Sequence, residues 1–327
     1  MTSLTASHNI DRAAPHSALR RYLREISVAG AYALLLLVLA LRAPRFFHTG
    51  EFSDVAISNA PILVATVGMT LVILCRQIDI SIGSQLSICC IVAGLLSRAG
   101  WPIALVGFGT ALCGLLMGAI NGALVAYLEI PSIVATLATL VIWREAKRWW
   151  SQGAMIKDLR PDFQWFGLGQ VGGQKALIVV ASIVFVVFAI ALRYLAAGRA
   201  VYAVGSDREA ARLAGIRPRR VTFAVFALMG LLTAVAALLT AVRLPHIDPK
   251  TGEDGLELQV IAAVVVGGVA ISGGRGTLLG SLVGVALLGT LGPALVFLGM
   301  EAYWDKAIRG AIILLAVASD VFYRRAE

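Results

Sequence analysis

Charge is scarce in this sequence: Asp, Glu, Lys and Arg supply 14% of its 327 residues, while the apolar set AVILMFWYC supplies 59%. Soluble domains carry about a quarter charged residues, enough to keep one face of each element wet. The shortage excludes a water-soluble globular chain and makes lipid the solvent for much of the surface. Histidine is equally thin. His8 and His16 lie in the N-terminal tail, and His48 and His246 lie between apolar segments, so no H-E-x-x-H helix and no histidine cluster exists to hold a catalytic metal. A G-x-S-x-G elbow is missing as well. The reading is of a chain that is not an enzyme and carries no cofactor. Four cysteines, Cys75, Cys89, Cys90 and Cys113, all fall inside apolar stretches, which argues against a disulfide framework and offers no metal-ligand spacing. The net charge of +9 comes from Lys and Arg between or beside apolar runs, a pattern that sets membrane orientation and does not point to nucleic acid.

What the sequence has is apolar length. Runs of about 20 apolar residues cross a hydrocarbon core at about 1.5 Å per residue. Such runs are expected near 28–45, 55–75, 82–98, 102–128, 131–148, 175–195, 221–242, 258–272, 276–298 and 306–323, making the fold class an all-α integral membrane protein with about ten transmembrane helices. Arg20, Arg21 and Arg24 before Val28–Leu41 resemble the flank of a secretory signal, but the run reads as an uncleaved first span. The expected division is a tail at 1–27, a permease-like membrane domain at 28–323 and a C-terminal end at 324–327. Arg193, Arg199, Arg208, Arg212, Arg217, Arg219 and Arg220 concentrate in the segment 193–220, which holds the connection at about 196–220, and short basic loops stay in the cytoplasm. With ten spans, both termini share that cytoplasmic side. The long connection at about 149–174, with Trp149, Trp150 and Trp165, then lies outside, at headgroup level or against an extracytoplasmic partner, as does the acidic loop HIDPKTGEDGLE at 246–257. Gly114, Gly118 and Gly122 recur every four residues and allow helix backbones to approach closely.

Three polar breaks interrupt the apolar pattern, and polar groups at such depth usually face protein or water. RQIDISIGS at 76–84 contains Asp79 and Ser81; Asp79 either caps and orients the third span or takes part in a pathway or its gate. GAINGALVAYLEIPSIVATLATL at 118–140 places Asn121 inside a span and Glu129 at a turn. Ser132, Thr136 and Thr139 then share one face of the next helix, where hydroxyls bond backbone carbonyls or a passing solute. VVVGGVAISGGRGTLLGS at 264–281, with Gly267 and Gly268, lacks the Lys followed by Ser or Thr of a phosphate loop and reads as a Gly-rich hairpin between two short spans. Asp79, Ser81, Asn121, Ser132, Thr136, Gly267 and Gly268 are therefore the pathway or gate candidates. Ionisable residues deep within spans, the usual mark of an ion-coupled secondary transporter, are not seen, which leaves that class as the alternative.

These strings, with GMTLVILCRQIDISIGS at one end, YAVGSDREAARLAGIRPRRV in the basic connection and VVVGGVAISGGRGTLLGSLVG near the other end, resemble the permease subunits of ribose-type ATP-binding-cassette sugar importers over nearly all of residues 55–323. The loop near 152–170 is most similar to rhamnose-type and autoinducer-2-type members. The resemblance implies translocation of a monosaccharide, rhamnose among the options, or a related small polar solute across a bacterial inner membrane. It also implies as partners a cytoplasmic ATP-binding subunit, an extracytoplasmic sugar-binding protein and a second permease copy, identical or homologous. It gives SDREAARLAGI at 206–216 the role of a short helix docking into the ATPase. Ser206 or Asp207 serves as cap, Glu209 carries first-turn charge, Ala210, Leu213 and Ala214 form the apolar stripe, and Gly215 is the stop. One departure stands out: family members often carry Gly where this chain has Arg76 and Gln77.

Overall fold

The computed structural model describes residues 16–166, 171–253, 255–301 and 303–325, with side chains from residue 26 to 315 except at 49, 51, 171 and 313. The tail through residue 15, residues 167–170 of the predicted outer loop, Asp254 and the last two residues lie outside the described residues, as do the side chains of Arg20, Arg21, Arg24 and Asp320. The described chain is helical: α1 (His16–Arg42), α2 (Thr49–Leu74), α3 (Ile82–Arg98), α4 (Ile103–Ala126), α5 (Ser132–Ser151), α6 (Pro161–Gln164), α7 (Val171–Tyr194), α8 (Ala196–Ser206), α9 (Arg208–Leu213), α10 (Pro218–Ala241), α11 (Leu256–Val266), α12 (Leu278–Phe297) and α13 (Trp304–Arg325). No strand occurs among the described residues; one isolated antiparallel bridge joins Ile156 and Ile247.

Five helices, α2, α4, α7, α10 and α12, contain stretches long and apolar enough to cross a membrane, while α3, α11 and the Ile26–Arg42 part of α1 are apolar but shorter. The two short central helices decide the architecture. α3 and α11 have 17 and 11 residues, or about 25 and 17 Å at the helical rise, against about 30 Å of hydrocarbon. Each is therefore too short to span that thickness by itself, and irregular chain leads into both of them.

Two such segments enter from opposite ends. Residues 75–81 continue from the end of α2, at the same end as α8 and α9, and run inward to the start of α3. Residues 242–255 leave α10 at the opposite end, where Arg243 donates to Ile57 O and Ser58 Oγ near the start of α2. They descend beside α3: Ile247 lies against Gly94, Ser87 Oγ donates to Pro249 O (2.6 Å), and the Gly252 carbonyl lies 2.7 Å from where a Cβ on Gly83 would stand. α11 then leads back toward the α8–α9 end. The N-terminal ends of two short, oppositely directed helices thus meet inside the bundle, each with a carboxylate at its positive pole, Asp79 before α3 and Glu257 in the first turn of α11.

α10 is the axis of the packing, with α2, α3 and α4 against it. The spacing of Gly114, Gly118 and Gly122 brings one face of α4 onto α10. A Cβ on Gly118 would stand 2.9 Å from Gly230 Cα, and one on Gly114 would stand 2.6 Å from Ala234 Cβ. The outward faces of α4, α5 and α7 carry exposed Leu112, Leu116, Leu137, Val141, Ile183 and Val187, as expected of surface meeting lipid or another apolar partner.

Candidate functional site

The backbone of 77–80 is non-helical and partly to fully buried, where each unpaired polar group is costly, so its partners define the site. α5 supplies them. Ser132 Oγ accepts from Ile78 N (3.2 Å) and, one turn on, Thr136 Oγ1 accepts from Ile80 N (3.1 Å). The face of hydroxyls legible on α5 therefore supplies hydrogen-bond acceptors to a neighbouring non-helical segment.

Asp79, fully buried, sits at the centre of a side-chain network. Its Oδ1 accepts from Ser81 N (2.9 Å) and Ser81 Oγ (2.5 Å), and its Oδ2 accepts from Gln85 Nε2 (3.2 Å) and Asn121 Nδ2 (3.4 Å). Asn121 and Gln85 also donate to Ser81 Oγ (2.8 and 2.7 Å), and Thr139 Oγ1 donates to Asn121 Oδ1 (2.8 Å). Ser84 Oγ, in the first turn of α3, donates to Leu140 O. The network ties the start of α3 to α4 and α5 without any basic residue in it. Of the seven pathway candidates, Asp79, Ser81, Asn121, Ser132 and Thr136 are brought together here. Gly267 and Gly268 are not: Gly267 closes α11 with Gly280 and Ser281 of α12 beside it, and Gly268 takes a left-handed conformation (φ 90°) in the turn that follows.

A second buried network has no counterpart among the expected site residues. Lys147 of α5, with a side chain 1% exposed, forms an ion pair with Glu253 (2.6 Å) and donates to Ser87 Oγ (2.5 Å) and to Pro249 O. Arg144 and Arg148 flank Glu253 at 3.4 and 3.9 Å. Segment 246–257, expected on the outer side, turns Ile247 and Glu253 into the bundle, where three cations on one turn of α5 surround the carboxylate. The only sequence signal for it is the 144, 147, 148 spacing within WREAKRWW, which puts all three on one helix face.

Arg76 adopts a left-handed conformation (φ 61°) at the turn out of α2, a conformation that suits the Gly the family resemblance leads one to expect there. A side chain in that region costs about 1–2 kcal/mol that glycine avoids, part of which glycine gives back as unfolded-chain freedom. Arg76→Gly is expected to leave thermal stability unchanged or slightly raised, whereas Arg76→Val, β-branched at positive φ, lowers it by about 1–2 kcal/mol; equal melting temperatures for the two variants would refute this account.

At the α8–α9 end, α9 is capped by Asp207, whose Oδ1 accepts from Glu209 N (2.8 Å) and Ala210 N (2.9 Å). Gly215 follows the helix at φ 81°. Ala211 is buried against the body of the protein, while Ala210, Leu213 and Ala214 face outward, Leu213 with 82% exposure. Nearby, Arg219 donates to Glu129 across the α4–α5 turn and holds that carboxyl below its ordinary range.

Comparison with known proteins places this geometry in a family context. The family described as "Branched-chain amino acid transport system / permease component" matches residues 52–317. The chain is 35% identical over 298 residues to the autoinducer 2 import system permease protein LsrC of Escherichia coli O157:H7, covering 91% of this chain and 86% of that one. It is 33% identical over 299 residues to the ribose import permease protein RbsC of Escherichia coli K12, covering 89% and 91%. No solved structure matches.

Proposed function

The chain belongs to the family of permease components of branched-chain amino acid transport systems, a membrane transport family, and on that premise we propose that it is the pore-forming subunit of an ATP-driven importer of a monosaccharide or related small polar solute in a bacterial inner membrane. Relatives whose names specify autoinducer 2 and ribose import support that solute class, within which rhamnose is one member. In this reading the bundle has ten spans with both termini in the cytoplasm. Each of the ten apolar segments expected from the sequence overlaps a helix, and the contact of Phe46 with Phe297 puts the end of α1 beside the end of α12. Residues 28–323 form the permease domain, 196–220 its cytoplasmic coupling connection and 149–174 its outer loop. Two permease copies enclose the pathway, an extracytoplasmic binding protein delivers solute, and two cytoplasmic ATP-binding subunits drive the cycle.

One observation carries the reading: a short, well-capped helix holds a large apolar side chain in the open. Leaving Leu213 exposed forfeits about 1.5–3 kcal/mol of burial, and an ATPase groove accepting Leu213, Ala210 and Ala214 recovers it. Asp207 and Gly215 fix the two ends of the helix, and Glu209 stabilises its first turn. Asp79, Ser81, Asn121, Ser132 and Thr136 hold the non-helical segment beside the pathway, where its position decides access.

Leu213→Asp is expected to leave membrane insertion intact while abolishing co-purification of the ATP-binding subunit and ATP-dependent uptake. Gly215→Val, which forces a β-branched side chain into a left-handed conformation, is expected to weaken capture about tenfold. Full capture of the ATPase by Leu213→Asp would remove the basis for the docking claim. Uptake that persists without ATP and stops with a proton ionophore would favour the ion-coupled transporter instead.

A further inference from the structure

A docked helix drives transport only if its displacement reaches the pathway, and the structure contains a contact suited to carry it. α8 and α9 are separated by Asp207 alone, so movement of α9 is imposed on the end of α8. That end meets two other segments through backbone, with no side chain between. A Cβ on Gly205 would fall on Leu74 O and within 2.8 Å of Gly274 N, and Gly274 N itself donates to Leu74 O (2.9 Å). A Cβ on Gly274 would stand 2.7 Å from Ser206 Cα, and one on Gly273 would stand 2.8 Å from Gly205 O and 2.7 Å from Arg76 Cβ. Gly273 and Gly274 have positive φ, 80° and 70°, so the turn itself requires them. Tyr202 Oη adds a bond to Gly276 O (2.9 Å), fixing α8 to the same turn.

Side chains between two elements absorb small displacements by changing rotamer; backbones in van der Waals contact have no such freedom and pass displacement on. What lies beyond the contact matters. Leu74 is the last residue of α2, and the turn at Cys75 and Arg76 leads from it into the non-helical segment holding Asp79. We propose that the backbone joint of Gly205, Leu74 and Gly274 relays the nucleotide-dependent movement of α8–α9 to residues 75–81, with Gly205 as its positioning residue. The inference rests on the docking of α9 to an ATP-binding subunit and adds the route by which that docking acts.

Hydrogen–deuterium exchange on the purified complex of permease and ATP-binding subunit, with and without a non-hydrolysable ATP analogue, tests the relay without knowledge of the solute. In the unmodified complex the analogue is expected to change amide exchange at least threefold in both 206–216 and 75–81. In Gly205→Ala the change at 206–216 persists while that at 75–81 falls to background. A response at 206–216 with none at 75–81 in the unmodified complex, or an unaltered relay in Gly205→Ala, overturns the joint. If Gly205→Ala does not assemble, Tyr202→Phe decides: it removes the hydroxyl that bonds Gly276 O and leaves the ring in place, a response at 75–81 reduced at least twofold supports the joint, and an unreduced one overturns it. No response at 206–216 in the unmodified complex overturns the docking reading itself, and the joint with it.

Discussion

Replacing Lys147 with methionine is expected to destabilise the protein by about 3 kcal/mol, the lower end of the range for removing one partner of a buried ion pair. Methionine fills most of the space but donates nothing, leaving Pro249 O without its charged donor and Glu253, 11% exposed, facing only Arg144 and Arg148 at 3.4 and 3.9 Å. Those two arginines retain part of the charge compensation, which is why the lower end applies. Arg148, half exposed and paired mainly with Glu145 on the surface, should matter far less: Arg148→Ala is expected to change stability by about 0.5 kcal/mol or less. The effect of Lys147→Met extends along the chain, because the segment it pins leads directly into α11. Uptake by the reconstituted importer should fall with it. Thermal unfolding of the detergent-solubilised variants separates the two residues, and a Lys147→Met protein that melts with the unmodified one would show that the ion pair contributes nothing net. A double-mutant cycle with Glu253→Gln isolates the pair itself: the double variant should be more stable than the sum of the single losses implies.

Why Lys147 is hidden in the sequence while Asp79 is not follows from what lipid makes visible. A span must be apolar for about 20 residues, so the long helices stand out, and a polar break such as RQIDISIGS inside one stands out equally. Asn121, Ser132 and Thr136 are legible for the same reason, and Asp207 and Gly215 because helix ends have a local chemistry of their own. Lys147 lies in a run of charge and tryptophan that reads as a headgroup flank. Its burial depends on Pro249 and Glu253, about a hundred residues later, folding back onto α5, and no local pattern encodes that return. Gln85 is hidden differently. A single polar residue on an apolar helix has many uses, and its amide becomes part of the network only once Asp79 and Ser81 are placed beside it. Gly267 and Gly268 illustrate the converse: glycine signals close approach but not of what, and here it is α12 that packs against Gly267.

Replacing Asp79 with alanine should disable the transporter most completely, by about 3–5 kcal/mol of stability and with it all measurable uptake. The carboxylate accepts from Ser81 N, Ser81 Oγ, Gln85 Nε2 and Asn121 Nδ2, and each buried donor left unpaired costs about 1–3 kcal/mol, although Gln85 and Asn121 keep Ser81 Oγ and so lose less than the full amount. Asp79→Asn is the informative companion. An amide offers one acceptor in place of two and turns an N–H₂ toward groups that themselves donate; Gln85 can rotate to present its oxygen, but only by giving up its bond to Ser81 Oγ. A loss of about 2 kcal/mol is expected. The pair also separates the two roles open to this residue. If Asp79 holds the non-helical segment in place, uptake should decline in step with melting temperature across Asp79→Asn, Asp79→Ala and the milder Thr139→Val, whatever solute is presented. If it contacts solute directly, Asp79→Asn should alter the concentration dependence of uptake while Thr139→Val, which removes the support of Asn121 and a bond to Thr136 O within α5, should not. The packing favours the first outcome, since every oxygen of Asp79 is already engaged by protein and the carboxylate is fully buried.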